Sequence, residues 1–307
     1  MLKTAFVVNS AAGSGRIKRE WPVLAKLIRE KIPQSHFEFT RSPRDATGLT
    51  AKLIHDGYEL IVAVGGDGTI NECVNGFFEK GVLINPQTAL GVLPYGRGSD
   101  LARLLGIPKD ARLALDYLGG KNTRLLDVGC GTLTGGEKKI RYFMNIANVG
   151  LVSTVVDSSH STPRFLGSKI SYLYGALRGA LKYKAFPVSY TRDGKKKEVR
   201  LLNMILANGV YFGSGMKAAP EAKLDDGLLD IVVAPKMKIM ALLRCFPRLY
   251  TGRHLQIPEV DFFREKKLEV RLVNPADQIP VEMDGDTVGF LPATFEILPG
   301  ALKFKIL

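Results

Sequence analysis

A glycine-rich turn between a strand and a helix constrains the fold of this chain more than any other feature. Residues 60–64 form an apolar run typical of a buried strand, and residues 71–78 are typical of a helix. Between them stands Gly65-Gly66-Asp67-Gly68-Thr69-Ile70. The glycines let bare backbone approach a ligand, and the N terminus of the following helix favours an anion there. A carboxylate in such a turn would repel phosphate, so Asp67 indicates a bridging metal ion or a proton-transfer role.

Strands and helices alternate through the first 120 residues. The patterns predict strands at 4–8, 36–40, 60–64 and 89–93, and helices at 19–32, 45–55, 70–79, 100–105 and 110–118. This alternation is typical of an open, doubly wound parallel sheet, whose ligands lie beyond the carboxyl ends of the strands. Asn9, Gly65 and Pro94 each follow a strand end. We therefore expect three distant segments to converge on one crevice.

The pattern changes after about residue 123, where strands dominate. They are predicted at 124–131, 140–148, 188–192, 198–208, 228–234, 267–272, 279–284 and 294–298, with turn signals between several of them. The second part therefore predicts an antiparallel β-sandwich with one or two inserted helices.

The composition is that of an ordinary globular protein except for its charge. The formal net charge is +13, which favours polyanionic partners or else only keeps the protein in solution. The three cysteines, Cys73, Cys130 and Cys245, lie far apart without metal-ligand spacing, which predicts a reducing cytosol and no disulfide framework. Residues 165–183 are the only candidate membrane span, but Lys169, Arg178 and Lys182 interrupt them, which favours an amphipathic helix.

The glycine-rich run resembles the GGDGT signature of the diacylglycerol kinase catalytic family, which includes sphingosine and ceramide kinases. NAD kinases and phosphofructokinases carry the same signature more distantly. Further motifs in the family's order narrow the resemblance to bacterial lipid kinases of this family. They are the segments at residues 9–15, 93–102, 219–230 and 282–286.

The resemblance implies a two-domain lipid kinase. Its first domain would be α/β and like that of NAD kinases and phosphofructokinases, formed by residues 1–123 with a returning segment at 292–307. The β-sandwich at 124–291 would bind the lipid substrate. ATP and Mg²⁺ are the cofactors that it implies, and the acceptor would be the hydroxyl of diacylglycerol or a related lipid. The expected partners are the lipid and an anionic membrane surface, met peripherally from the cytoplasm, with a homodimer as a further option and no nucleic acid.

The resemblance also assigns the residues of the ATP site. These are Asn9, Ser10, Ala11, Ala12, Gly13, Thr40, Gly65, Gly66, Asp67, Gly68, Thr69, Asn71, Glu72 and Arg97. For residues 9–15 an ordinary strand-to-helix turn remains an alternative. Arg97 and Ser99 stand where the family commonly has threonine and asparagine. Arg97 could clamp a phosphate, narrow the site, or mark a nucleotide- or lipid-binding regulator with little catalysis.

Carboxylates are the candidates for the metal ligands and for the general base. The resemblance links Asp67, Asp100 and Asp127 to a catalytic Mg²⁺ network, although Asp100 could simply cap a helix and Asp127 could be structural. For Asp67 the flanking glycines leave little structural reason for a carboxylate. Lys223, Asp226 and Leu228 match a structural Mg²⁺ site made of one carboxylate and two carbonyls, and Asp-Asp-Gly is also a good turn.

Asp284-Gly285-Asp286 occupies the place of a family Asp-Gly-Glu motif whose glutamate is taken as the general base. We therefore predict Asp286 as the base that takes the acceptor's proton, with Asp284 as a supporting or metal-linked catalytic carboxylate. A kinase for a soluble acceptor, as in NAD kinases, is the alternative enzyme.

The stretch 236–254 mixes basic and apolar residues at helical spacing. It indicates either a helix at an anionic membrane surface or a packed helix with one solvated face.

Overall fold

The computed structural model describes residues 2–96, 98–151, 183–213 and 215–307. The predictions for Arg97, and for the candidate span as far as residue 182, lie outside the described residues. Within the described ranges, no helix is both long and apolar enough to cross a membrane.

The first part of the chain forms a parallel sheet covered by helices. Its elements are β1 (Thr4–Val8), α1 (Arg16–Lys31), β2 (His36–Phe39), α2 (Asp45–His55), β3 (Leu60–Gly65), α3 (Asp67–Gly76), β4 (Phe78–Glu79), β5 (Val82–Leu83), β6 (Ala89–Pro94), α4 (Asp100–Leu104) and α5 (Ala111–Gly119). The four long strands run in the order β6-β3-β1-β2. Every residue of β1, β3 and β6 is buried, as a sheet with helices on both faces requires.

The second part is mainly antiparallel sheet. Its elements are β7 (Thr123–Leu133), β8 (Lys139–Phe143), β9 (Ile146–Gly150), β10 (Phe186–Arg192), β11 (Lys195–Ala207), β12 (Tyr211–Phe212), β13 (Met216–Lys217), β14 (Leu229–Pro235), α6 (Ile239–Leu249), a 3₁₀ turn (Arg253–Gln256), β15 (Asp261–Glu265), β16 (Lys267–Leu272), β17 (Pro280–Met283), β18 (Asp286–Phe290) and β19 (Ala293–Lys305). A separate apolar core, which includes Phe143, Leu206 and Phe295, fills this part.

The long last strand, β19, belongs to both parts. Its first residues pair with β16, most of its length pairs antiparallel with β7, and Lys303 and Phe304 pair parallel with β6. One continuous sheet therefore links the two parts. The domain boundaries at 123/124 and 291/292 stay predictions, and β19 itself pairs on both sides of them.

Several element predictions were wrong in their bounds, including the strand at 294–298, which is part of the longer β19, and two of the others have an identifiable cause. Residues 140–148 form two strands, because the carboxylate of Asp284 accepts hydrogen bonds from the N–H groups of Met144, Asn145 and Ile146 and so interrupts the ladder. The helix predicted at 70–79 starts earlier and ends at Gly76, after which the chain enters the short β4–β5 hairpin.

Candidate functional site

The three segments that follow the parallel strands meet at one edge of the sheet. The N–H of Asn9 donates to the carbonyl of Val64 at 3.0 Å, and the N–H of Tyr95 donates to that of Gly65 at 2.8 Å. The side-chain amide of Asn9 also donates to Thr69 Oγ1 at 2.9 Å. The crevice expected from the strand ends is therefore present.

Two glycines lie in direct contact in this crevice. A Cβ added to Gly96 would stand 2.5 Å from the Cα of Gly66, so the turn after β3 and the turn after β6 touch through bare backbone. A Cβ on Gly65 would come within 2.4 Å of Thr69 Oγ1. These approaches require glycine, because a side chain at either position would collide with the neighbouring turn or with Thr69.

The segment after β1 is held by its own hydrogen bonds. The N–H of Ala11 donates to Asn9 Oδ1 at 2.9 Å, and Ser10 Oγ donates to the carbonyl of Thr40 at 3.1 Å. The predicted ATP-site residues Asn9, Ser10 and Thr40 thus stand together, with Ala12 and Gly13 following them. A Cβ on Gly13 would lie 3.2 Å from the carbonyl oxygen of Tyr95, which brings this segment against the turn after β6.

Asp67 has a structural role that the sequence did not show. Its carboxylate accepts hydrogen bonds from the N–H groups of Asp100 at 3.1 Å and Leu101 at 3.3 Å. Asp67 rather than Asp100 therefore satisfies the first donors of α4, and the expectation that flanking glycines leave Asp67 without a structural reason was wrong. Asp100 is buried and accepts from Arg103 at 2.5 Å.

Asp127 lies beside a different loop. Each carboxylate oxygen of Asp127 accepts a hydrogen bond from a backbone N–H group. The donors are Gly227 and Gly300, each at 2.7 Å. The backbone N–H of Asp127 donates to the carbonyl oxygen of Leu224 at 2.7 Å. Asp127 therefore fixes the loop that carries Lys223, Asp226 and Leu228. Its membership of the catalytic Mg²⁺ network stays a prediction.

The candidate structural metal loop is a tight turn. Asp226 Oδ1 accepts the N–H of Leu228 at 3.1 Å, and the Asp226 side chain is exposed. One carboxylate and two carbonyl oxygens are hard ligands that suit Mg²⁺. The described residues contain no group of three or more His, Cys, Asp or Glu side chains arranged for a metal ion. The predicted site needs only one such side chain, Asp226, and takes its other ligands from the backbone carbonyls of Lys223 and Leu228. The donor set of this loop therefore fits Mg²⁺.

A cleft of about 260 Å³ opens between α2, α3 and the sandwich. Asn71 and Glu72 line it from α3, and Tyr142 and Asp286 line it from the sandwich. Glu72 accepts the N–H groups of Arg44 at 3.0 Å and Ala46 at 3.2 Å, at the start of α2. Burial raises the pKa of Glu72, and the nearby charge of Asp286 acts in the same direction. The cleft therefore brings two carboxylates from different parts of the chain close together.

Asp284 is enclosed by donors. It accepts hydrogen bonds from Asn71 Nδ2 at 3.0 Å and from the N–H groups of Met144 at 2.7 Å, Asn145 at 3.0 Å and Ile146 at 3.0 Å. Its φ is 47°, in the left-handed region. Burial raises the pKa of Asp284 to about 6. The hydrogen bonds from these donors favour the charged carboxylate and so oppose that rise.

Asp286 has the opposite surroundings. Its side chain is exposed and lines the cleft, and no hydrogen bond or salt bridge engages its carboxylate within the described part of the chain. The turn thus directs one carboxylate into a network of donors and leaves the other open to a ligand.

The sequence reasoning missed two members of this network. Asn75 Nδ2 donates to the carbonyl of Tyr142 at 2.9 Å, and its Oδ1 accepts the N–H of Tyr142 at 3.0 Å. Asn75 follows Asn71 by four residues, so two amides on one face of a helix were the available signal. Glu282 is buried and accepts hydrogen bonds from Asn148 Nδ2 and the N–H of Gly285. Burial raises its pKa to about 7.

Comparisons with known proteins agree with this arrangement. Residues 3–130 match the family described as "Diacylglycerol kinase catalytic domain". Residues 146–306, more than half of the chain, match "YegS C-terminal NAD kinase beta sandwich-like domain". Diacylglycerol kinases of Staphylococcus aureus strains MRSA252 and Newman are each 29% identical over 297 residues, covering 95% of this chain and 89% of theirs.

Solved structures show the same fold. Two crystal structures of Bacillus anthracis str. Sterne proteins assigned as diacylglycerol kinases superpose with TM-scores of 0.78 and 0.71. They are 24% and 22% identical and cover 99% of this chain and 95% and 97% of theirs. The predicted fold class, an α/β domain followed by a β-sandwich, is confirmed.

The chain belongs to the diacylglycerol kinase family of the YegS type, a family of lipid kinases. The resemblance read from the motifs is thereby confirmed. Membership implies ATP as the phosphate donor and a divalent metal ion.

Proposed function

We propose that this protein transfers the γ-phosphate of MgATP to the hydroxyl of diacylglycerol or a closely related glycerolipid, at the cytoplasmic face of a membrane. The contact between Asn71 and Asp284 carries this proposal, since it joins the helix that begins at the glycine-rich turn to the turn that bears Asp286. The relatives from Staphylococcus aureus that are named diacylglycerol kinases support the acceptor class.

The donor would lie in the crevice formed by the segments after β1, β3 and β6. Backbone N–H groups of the turn at residues 65–69 would bind phosphate oxygens, aided by the N terminus of α3. Asp67 and Asp100 would hold the catalytic Mg²⁺, because carboxylate oxygens are ligands that this ion prefers. When bound, the ion neutralises charge on the transferring phosphoryl group.

Asp286 would take the proton of the acceptor hydroxyl. Phosphoryl transfer needs the acceptor held in line and a base within hydrogen-bond reach. The exposed carboxylate of Asp286, which lines the cleft, meets the second requirement. Asp284, whose oxygens already accept four hydrogen bonds, would instead hold the turn in place.

Incubation with radiolabelled ATP tests the proposal. The purified protein should transfer label from ATP to a lipid in a total lipid extract when Mg²⁺ is present, and chromatography should show the product to be a phosphorylated glycerolipid. Asp286→Asn serves as the inactive control. Transfer to NAD and not to lipid would instead mean a soluble acceptor.

A further inference from the structure

The segment around α6 carries only positive charge. Residues 231–258 contain no aspartate or glutamate. Five cations in this run have exposed side chains: Lys236, Lys238, Arg244, Arg248 and Arg253. None of the five forms a salt bridge with the residues that the structure describes. Surfaces that serve only solubility normally mix both signs of charge, whereas this run of 28 residues supplies positive charge alone.

The same helix exposes apolar side chains. Met240 is 58% exposed and Leu243 is 43% exposed. They lie three residues apart and so share a face of α6 with Arg244. On the inner side Leu242 packs against Leu151 and Leu202. The helix therefore rests on the sandwich by one face and presents a mixed apolar and basic face outward.

We propose that the outward face of α6 (Met240, Leu243, Arg244 and Arg248), with the flanking exposed cations Lys236, Lys238 and Arg253 and here called the basic face, docks on an anionic phospholipid bilayer. Lysine and arginine complement negatively charged headgroups, and each is worth roughly 1 kcal/mol near such a surface. Methionine and leucine would enter the boundary between headgroups and acyl chains. The inference rests on the proposed function in one respect, since a glycerolipid acceptor must be reached at a bilayer.

Vesicle sedimentation tests the docking without any kinase reaction. The full chain is mixed, without ATP or acceptor, with vesicles of phosphatidylcholine alone or of phosphatidylcholine and phosphatidylglycerol in equal parts. We expect binding only to vesicles that contain phosphatidylglycerol, and weaker binding as salt is raised. Equal binding to both vesicle types would overturn the proposal.

A charge variant with a matched control locates the surface. Each removed cation should weaken partitioning about fivefold, so Lys238→Gln with Arg244→Gln should weaken it about 25-fold. Lys195→Gln with Lys197→Gln removes the same charge from two exposed lysines of β11 and should leave binding unchanged. An equal loss in both pairs would show that only the net charge matters and would overturn the proposal.

An apolar variant separates a bilayer from other polyanions. Leu243→Ser should weaken vesicle binding several-fold, whereas Val23→Ser, at a side chain of α1 that is 74% exposed, should not. If Leu243→Ser binds vesicles as tightly as wild type, the proposal is wrong. If, in addition, a DNA duplex displaces the protein from the vesicles, the face is a site for nucleic acid.

Kinase assays separate this inference from the proposed function. With the acceptor in detergent micelles, the variants of the basic face should turn over like wild type, and with the acceptor in anionic vesicles they should be slower. If no lipid is phosphorylated in either form, the proposed function fails while the sedimentation result still decides the docking.

Discussion

Asp284 and Asp286 stand two residues apart in one turn, and their surroundings give their carboxylates different chemistry. Asp284 accepts hydrogen bonds from α3 and from the backbone at residues 144–146, whereas Asp286 lines the cleft and its carboxylate has no hydrogen-bond partner among the described residues. A base must be free to bind a proton, and a carboxylate that orients a turn must be held. The sequence motif shows the two carboxylates but not which one is enclosed.

The base assignment predicts a loss of turnover without a loss of nucleotide binding. Asp286→Asn keeps the shape of the side chain but cannot take the acceptor's proton, so kcat should fall roughly 100- to 10,000-fold while the KM for MgATP stays near wild type. Asp286→Glu should keep substantial activity. Steady-state kinetics with a lipid acceptor measure both. Normal turnover of Asp286→Asn would place the base elsewhere.

The enclosed position of Asp284 predicts a different response. In Asp284→Asn one oxygen becomes an NH₂ group that faces two N–H donors, which leaves buried donors unpaired at a cost of about 1–3 kcal/mol. The free energy of unfolding should therefore fall together with kcat, whereas Asp286→Asn should lower kcat alone. Urea unfolding of both variants makes the comparison. Wild-type stability in Asp284→Asn would contradict the role given to this residue.

Local sequence patterns predicted an element well where a single hydrophobic pattern runs through it from end to end. The bounds of β1 and of α2 agree with the structure, because each is a clear apolar run or a clear helical period. The break between β8 and β9 could not be predicted, because it depends on a carboxylate about 140 residues away in the chain. The same holds for the cap that Asp67 provides to α4, which is a contact between two turns.

The contact between the turns after β3 and β6 predicts the effect of a single methyl group. In Gly96→Ala the new Cβ would meet Gly66 Cα at 2.5 Å, so the two turns must separate. We expect a loss of about 1–3 kcal/mol of stability and a raised KM for MgATP. Gly119→Ala, in α5 with no neighbour within 4 Å of the added Cβ, is the control. Thermal unfolding and kinetics check both. A Gly96→Ala protein with wild-type values would refute the contact.

Glu282 links the stability of the entire protein to pH. Burial raises its folded-state pKa to about 7, above the unfolded value near 4.5, so the folded state holds more protons between these values. Stability from this group is therefore fully present below pH 4.5 and is lost as pH rises through 7, by about 3 kcal/mol. Urea unfolding from pH 5 to 8 should show a downward trend that Glu282→Gln reduces. An identical trend in the variant would exclude Glu282 as its source.

Strand β19 also has a consequence for how the chain is made. Among the strands that the structure describes, β6 has β3 as its one neighbour until β19 arrives, and all six residues of β6 are buried in the finished protein. Its second neighbour is supplied by Lys303 and Phe304, at the far end of the sequence. During synthesis the ribosome has therefore released nearly the whole sandwich before the parallel sheet can close its apolar edge. Until then that edge is open to wrong pairing, and protecting it falls to whatever binds nascent chains.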